Sequence, residues 1–230
     1  MESQKKEVIK LVNEEEWLNL KCGKITASEI WKIMKKGRSS GKIFSDTGET
    51  YLMEKIADMI CGYQKTIGNA PASLDWGKRH EPEAVEFMRN RGWIFEHYGG
   101  SNYVFFPWNN YSGSSPDGLD PTHIHEIKCP YTSYTHLENL IASKNYEPRS
   151  PELFEWLFKE RYEYLMQIHF NMMCCQREHA YFISYDPRVL NEDWRLAVME
   201  ISLDEEIAKE MKLRIDLARE IIVKGLNSLR

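Results

Sequence analysis

Ser114-Ser115-Pro116-Asp117-Gly118-Leu119 and, shortly after it, Glu126-Ile127-Lys128-Cys129-Pro130 decide how this chain is read. The first segment carries an acid in a Pro-Asp-Gly turn. In the second an acid and a lysine flank one apolar residue. Successive side chains of a strand point to opposite faces, so Glu126 and Lys128 share one face while Ile127 points into the core. A hairpin turn at Asp120-Pro121-Thr122 brings Asp117 back beside Glu126. Two carboxylates and an ammonium then converge. That is the equipment for holding a hard divalent cation by oxygen ligands and orienting a water toward a phosphodiester. Taken alone, the same residues also describe an exposed cross-strand ion pair and one of the commonest turns. The rest of the chain has to decide.

Working outward, the pattern after Gly92 is one of short strands, over 93–98, 103–106, 111–114 and 123–128, with turn residues between them. Their apolar positions alternate loosely, which predicts that one or more strands are covered on both faces. Upstream the chain reads as helical over 14–20. Thr26 followed by Glu29 forms a capping-box pattern that starts a second helix. A Gly/Ser/Lys loop over 37–48 follows. Helices are then expected over 50–61, with Leu52, Ile56 and Ile60 spaced four apart, and over 73–90, with Leu74, Ala84, Val85 and Met88 as apolar markers. Downstream, helix resumes from Thr135. Ser150-Pro151-Glu152 starts another helix, broken near Lys159 and running to about Cys175. Strands over 180–185 and 195–201 precede an amphipathic helix with Ile207, Met211, Ile215, Ala218 and Ile222 on one stripe. The order predicts a single α/β domain spanning residues 1–230, with a central mixed β-sheet flanked by helices.

Composition narrows the function classes. The chain has 230 residues, 42% of them apolar and 12% aromatic, which suits a globular fold with a sizeable core. No apolar run reaches membrane-spanning length and the N-terminus lacks a signal-peptide core, so no membrane is involved and a cytoplasmic location is expected. The five cysteines, Cys22, Cys61, Cys129, Cys174 and Cys175, form no Cys-x-x-Cys pair and argue against a disulfide framework or a zinc or iron–sulfur site. A net charge of −5 argues against a general polyanion-coating protein. Between Lys21 and Lys42, however, seven basic residues face one acid, Glu29. That local excess can track a phosphate backbone or form a solvated helix face. There is no phosphate-binding glycine loop followed by Lys-Ser/Thr, against an ATP-driven motor, and no Gly-x-Ser-x-Gly. His123-x-His125 lacks the further ligands a zinc site needs.

Trp76-Gly77-Lys78-Arg79-His80-Glu81-Pro82-Glu83 adds a dense run of ionisable groups on the helix before the strands. Glu81 can supply a third carboxylate. His80 points about 100° away from it on a helix, so the two do not readily serve the same ion. Gln167 lies among apolar helix positions, where a buried amide must bond to backbone or line a polar site.

Six segments occur in order: Gly23-Lys24-Ile25-Thr26-Ala27-Ser28-Glu29, Trp76-Gly77-Lys78 with Glu81, Ser115-Pro116-Asp117-Gly118-Leu119, Glu126-Ile127-Lys128-Cys129-Pro130, Tyr164 with Gln167, and Tyr185-Asp186-Pro187-Arg188. Together they resemble the phage lambda exonuclease, or YqaJ-type viral recombinase, family of the restriction-endonuclease-like (PD-(D/E)XK) superfamily, from about Trp17 to Arg188. The resemblance implies a restriction-endonuclease-like core. Asp117, Glu126 and the Ile127 backbone carbonyl would be metal ligands, and Glu81 would be an acid at a second ion. Lys128 would orient or help deprotonate the attacking water, with Gln167 positioning it. Ser28 and Ser115 would donate to a 5′-terminal phosphate. Lys21 stands where the family carries arginine, a point charge in place of a bidentate fork. Lys24, in place of an apolar residue, would offset that change, and His80 would be an extra ligand. The implied cofactor is Mg²⁺, two ions per site, with Mn²⁺ able to substitute. The implied activity is 5′-to-3′ digestion of one strand of linear double-stranded DNA, leaving a 3′ overhang for a single-strand annealing protein. A trimeric ring and a phage or prophage origin in a bacterial host also follow. The alternatives are a structure-dependent endonuclease on the same fold and a catalytically inactive DNA-binding recombination scaffold.

Overall fold

The computed structural model describes residues 7–37, 41–62 and 71–229, so Arg38 of the basic run lies outside it. The strands are Ile9–Leu11 (β1), Ile25–Thr26 (β2), Glu96–His97 (β3), Tyr103–Asn109 (β4) and Ser112–Ser114 (β5), then Gly118–Leu119 (β6), His123–Lys128 (β7), His179–Tyr185 (β8) and Leu196–Ser202 (β9). The helices are Glu14–Lys21 (α1), Trp31–Met34 (α2), Asp46–Cys61 (α3) and Ala72–Arg89 (α4), then Ser133–Asn145 (α5), Pro151–Glu160 (α6), Tyr162–Cys175 (α7) and Glu205–Asn227 (α8).

The expected mixed α/β arrangement is present, but the strands divide between two mixed sheets in place of one. One has the order β1-β4-β5-β2, the other β3-β6-β7-β8-β9. The division falls at Ser115-Pro116. Proline has no amide hydrogen to extend a ladder, so the chain leaves the first sheet after Ser114 and enters the second at Gly118. Within the second sheet β6 and β7 are antiparallel, whereas β7 and β8 are parallel and joined through α5, α6 and α7. Helix α7 lies between the sheets, packing on β4 and β5 of one and β7 and β8 of the other. Ten of its residues are buried as a result. Strand β7 is covered on both faces: Ile124, His125, Glu126 and Ile127 are buried in succession, the pattern the loose alternation predicted.

Local sequence explains several of the helix starts. Ser150 accepts the Leu153 amide at 3.1 Å and Pro151 opens α6. Ser45 caps α3, which starts earlier than the sequence suggested. Thr26 departs from expectation: its side chain makes no capping bond. Residues Ile25 and Thr26 instead pair in parallel with Ser112 and Gly113, and the Ile25 amide donates to the Tyr111 carbonyl at 2.8 Å. Burial of Ile25 and this pairing satisfy the backbone that a helix start would leave open. Glu29, the other half of the capping box, is held by Lys32 at 2.6 Å. Of the apolar positions that mark these two helices, Ile60 and Leu74 are 57% and 50% exposed. Gly118 is fixed by close approach, since a Cβ there would lie 2.6 Å from the Phe95 ring.

Candidate active site

The turn after β6 is locked by one side chain. Asp120 Oδ1 accepts the Thr122 and His123 amides, each at 2.7 Å, an Asx turn that reverses the chain. Gly118 then faces His125 across the ladder, and Asp117, one residue before Gly118, arrives beside the Glu126–Ile127 segment. Its Oδ2 accepts the Ile127 amide at 2.7 Å. Its own carbonyl accepts the Tyr98 amide at 2.8 Å. The N–H and C=O of a strand residue leave on the same edge. The Ile127 carbonyl is therefore directed to the edge where Asp117 lies, and Ile127 lines the cleft there. Its side chain packs on the other face with Ala84, Val85, Met88, Phe95 and Ile183.

Glu126 is fully buried. One carboxylate oxygen is paired with the Lys128 ammonium, and the other accepts from Asn171 Nδ2 of α7 at 2.7 Å. Burial and the Glu126 and Glu81 carboxylates push Asp117 well above the usual carboxylate range. Burial also pushes Glu126 up, against the pull of Lys128. For Lys128 burial disfavours the charge, but Glu126 and Asp117 outweigh it and its pKa is raised, so it stays an ammonium. The Tyr164 ring lies 5.3 Å from that ammonium. Gln167 is nearly buried on α7, one turn from both Tyr164 and Asn171 along the same helix face. Burial pushes the Cys129 thiol up to about 12, which leaves it no thiolate to act as a nucleophile near neutral pH.

Two adjoining cavities, of about 270 and 400 Å³, share Lys78, Glu81 and Asp117. The larger is bordered by Lys128, Tyr131 and Tyr164, the smaller by Trp17, His97 and Ser115. Glu81 accepts a hydrogen bond from His97 Nε2 at 3.0 Å. His80 is turned away, with Nδ1 on Glu83 at 2.8 Å and its ring 3.9 Å from that of Trp76. Lys21 sits over the Trp17 ring at 3.5 Å. Burial lowers its pKa to about 8 while Glu29 and Asp117 pull the other way. Trp17 Nε1 donates to Ser115 Oγ at 3.0 Å, and the Ser115 hydroxyl donates to the Val104 carbonyl at 2.7 Å. A chain of contacts thus runs from Lys21 to the residue pair preceding Asp117. Ser28 is exposed and Lys24 half-buried, and neither borders the two cavities.

The Tyr185-Asp186-Pro187-Arg188 segment has a mechanical task. Arg188 makes a two-point ion pair with buried Asp186, at 2.8 and 2.9 Å, and donates to the Tyr131 and Pro130 carbonyls at 3.0 and 3.2 Å. Its guanidinium lies 4.2 Å over Trp76. It ties the loop after Lys128 to the helix that carries Glu81.

Among the described residues no three acidic, histidine or cysteine side chains form a ready-made metal cage. The donor set nevertheless fits a hard cation. Asp117, Glu126, Glu81 and the Ile127 carbonyl offer only oxygen; Lys128 is the ammonium paired within this set, whereas Lys78, which also borders the cavities, is engaged by Glu14 at 2.9 Å. Asn171 and His97 have no place in the reading of the sequence alone. Asn171 was open to the reasoning that singled out Gln167, a polar residue among apolar positions of one helix. His97 carries no such signal, because its partner comes from a separate helix.

The family model for the YqaJ-like viral recombinase domain matches residues 16–178. An alkaline exonuclease from Laribacter hongkongensis is similar at 26% identity, with a TM-score of 0.71 over 94% of this chain and 95% of that one. The same values hold for that enzyme in complex with dAMP. A phage-related exonuclease from Haemophilus somnus shares the fold, with a TM-score of 0.68 at 16% identity over 93% of this chain and 99% of that one. The search of curated proteins gave no match.

Proposed function

The chain belongs to the YqaJ-like viral recombinase domain family, and we propose that it is a Mg²⁺-dependent exonuclease that digests one strand of linear double-stranded DNA from the 5′ end. The observation that carries the proposal is the Asp117–Glu126–Lys128 cluster, gathered around the Ile127 amide at the wall of an open cleft. The dAMP held by the Laribacter relative is a deoxynucleoside monophosphate, the class of product that stepwise release from a DNA end would give.

Asp117, Glu126 and the Ile127 carbonyl would hold one Mg²⁺, with Glu81 at a second, and Mn²⁺ would substitute. Bound there, the ions would supply positive charge to offset that of the phosphodiester under attack. The remaining work falls to the chain. Lys128, held protonated by Glu126, offsets charge that builds on the scissile phosphate and orients the attacking water. Its raised pKa favours that role over proton abstraction. Gln167 positions the same water from α7. Asn171 holds the Glu126 carboxylate in place. Lys21, Ser28 and Ser115, with Lys24 nearby, would receive the 5′ phosphate. His80 is not needed as a ligand, given its bond to Glu83. A homotrimeric ring and a single-strand annealing partner acting on the 3′ overhang complete the proposal, as does a cytoplasmic site of action in a bacterial host.

A structure-dependent endonuclease on the same fold is the rival. Linear and covalently closed duplexes of one sequence, incubated with Mg²⁺, separate the two. Digestion confined to the linear form supports the exonuclease, and cutting of intact circles refutes it.

A further inference from the structure

We propose that His97 is a positioning residue that sets the Glu81 carboxylate for the site. The inference rests on the nuclease reading above. His97 Nε2–H donates to Glu81 Oε1 at 3.0 Å, and both side chains border the cavity that also contains Asp117. Three features fix where that imidazole sits. The β3–β6 ladder pairs His97 with Gly118, the residue after Asp117. The next amide, that of Tyr98, donates to the Asp117 carbonyl at 2.8 Å. Asn102 Nδ2 donates to the His97 carbonyl at 2.8 Å, and Gly99 and Asn102 exchange both backbone bonds at 2.9 and 3.0 Å. His97 is therefore placed relative to Asp117 by the sheet itself.

Glu81 comes from the other direction, on α4, and the backbone closes over the pair. Gly99 has φ +127°, a conformation that L side chains rarely adopt, and a Cβ there would lie 3.1 Å from Glu81 Oε1 and 3.6 Å from His97 Nε2. A glutamate on a helix otherwise retains several rotamers. The His97 donor selects a rotamer that Gly99 leaves room for, in the cavity that Asp117 also lines, with Oε2 left without a donor from His97. Outer hydrogen bonds of this kind orient a carboxylate toward an ion.

The test compares wild type, His97→Ala, His97→Gln, Glu81→Ala and the Glu81→Ala/His97→Ala pair. Mn²⁺ binding is measured by calorimetry without DNA, and kcat and KM are measured on linear duplex. His97→Ala should weaken Mn²⁺ binding about 10- to 100-fold, as loss of such partners does, and lower kcat with KM for DNA unchanged. Glutamine places an amide donor where Nε2 stood and should return both to within a few-fold of wild type. In the Glu81→Ala background, His97→Ala should cost nothing further. Wild-type Mn²⁺ affinity in His97→Ala, failure of glutamine to rescue, or an equal additional loss in the Glu81→Ala background would each overturn the positioning role. A wild-type protein that leaves linear DNA intact with Mg²⁺ would instead overturn the nuclease reading, a separate outcome.

Discussion

Replacing Lys128 by methionine tests how the site stores charge. The substitution keeps the length of the side chain and removes the ammonium. Glu126 is 0% exposed and would retain only the bond from Asn171. Breaking one side of a buried ion pair costs about 3–5 kcal/mol. Glu126 has one escape, taking up a proton, which limits the cost. From its ordinary value of 4.5, protonation costs roughly 3.4 kcal/mol at pH 7 and about 0.7 kcal/mol at pH 5, at about 1.36 kcal/mol per unit. The sign follows: a carboxyl with a raised folded pKa stabilises at low pH, and that contribution is lost as pH rises. For a chain of this size the melting temperature should fall by roughly 7–14 °C at pH 7 and 1–3 °C at pH 5. The Glu126→Gln/Lys128→Met pair should recover most of the loss at pH 7, because an amide needs no counter-ion. Thermal unfolding followed by circular dichroism in EDTA, at both pH values, measures all of this. Equal losses at pH 5 and pH 7, or a double variant no more stable than Lys128→Met, would refute the buried-pair account.

Three further outcomes follow from the same geometry. Asp117→Asn keeps an acceptor for the Ile127 amide and removes the charge. It should abolish Mg²⁺-dependent digestion while DNA binding, read by gel shift in EDTA, persists. Because burial raises both Asp117 and Glu126, the metal-free protein should melt at lower temperature as pH rises from 5 to 8, and Mg²⁺ should raise the melting temperature more at pH 8 than at pH 5. Scanning fluorimetry with and without Mg²⁺ reads both. Duplex with a 5′ hydroxyl should be digested more slowly than duplex with a 5′ phosphate, and Lys21→Met should bring the two rates together; equal wild-type rates count against the Lys21–Trp17–Ser115 chain as an end-recognition element.

Much of the site was legible because it is local. Glu126-Ile127-Lys128 follows strand alternation, and Asp117 reaches it through a turn whose closing residue, Asp120, lies in the same hairpin. The helix carrying Glu81 and the one carrying Gln167 were equally readable from their apolar spacing. What escaped depends on distant partners. Thr26 and Glu29 fit a capping box in isolation, but a parallel partner some 87 residues downstream, Ser112-Gly113, claims the backbone first. Pro116 marks a break after β5, but the division into two sheets also turns on which strands β5 and β6 find, and those partners lie elsewhere in the chain. Asn171 and His97 meet carboxylates from other elements, Glu126 and Glu81. Sequence marks such residues as polar without naming the partner. Ser115 was read as a phosphate donor, and its hydroxyl donates to Val104 here. Serving a phosphate would require it to exchange that bond.

The most direct test of the central claim is digestion of one linear duplex labelled separately at the 5′ and 3′ ends, followed over time with Mg²⁺. The account predicts early release of the 5′ label as a mononucleotide, with the 3′-labelled strand shortening progressively and no products in EDTA. Early release of the 3′ label, or internal fragments before either end is lost, would contradict it.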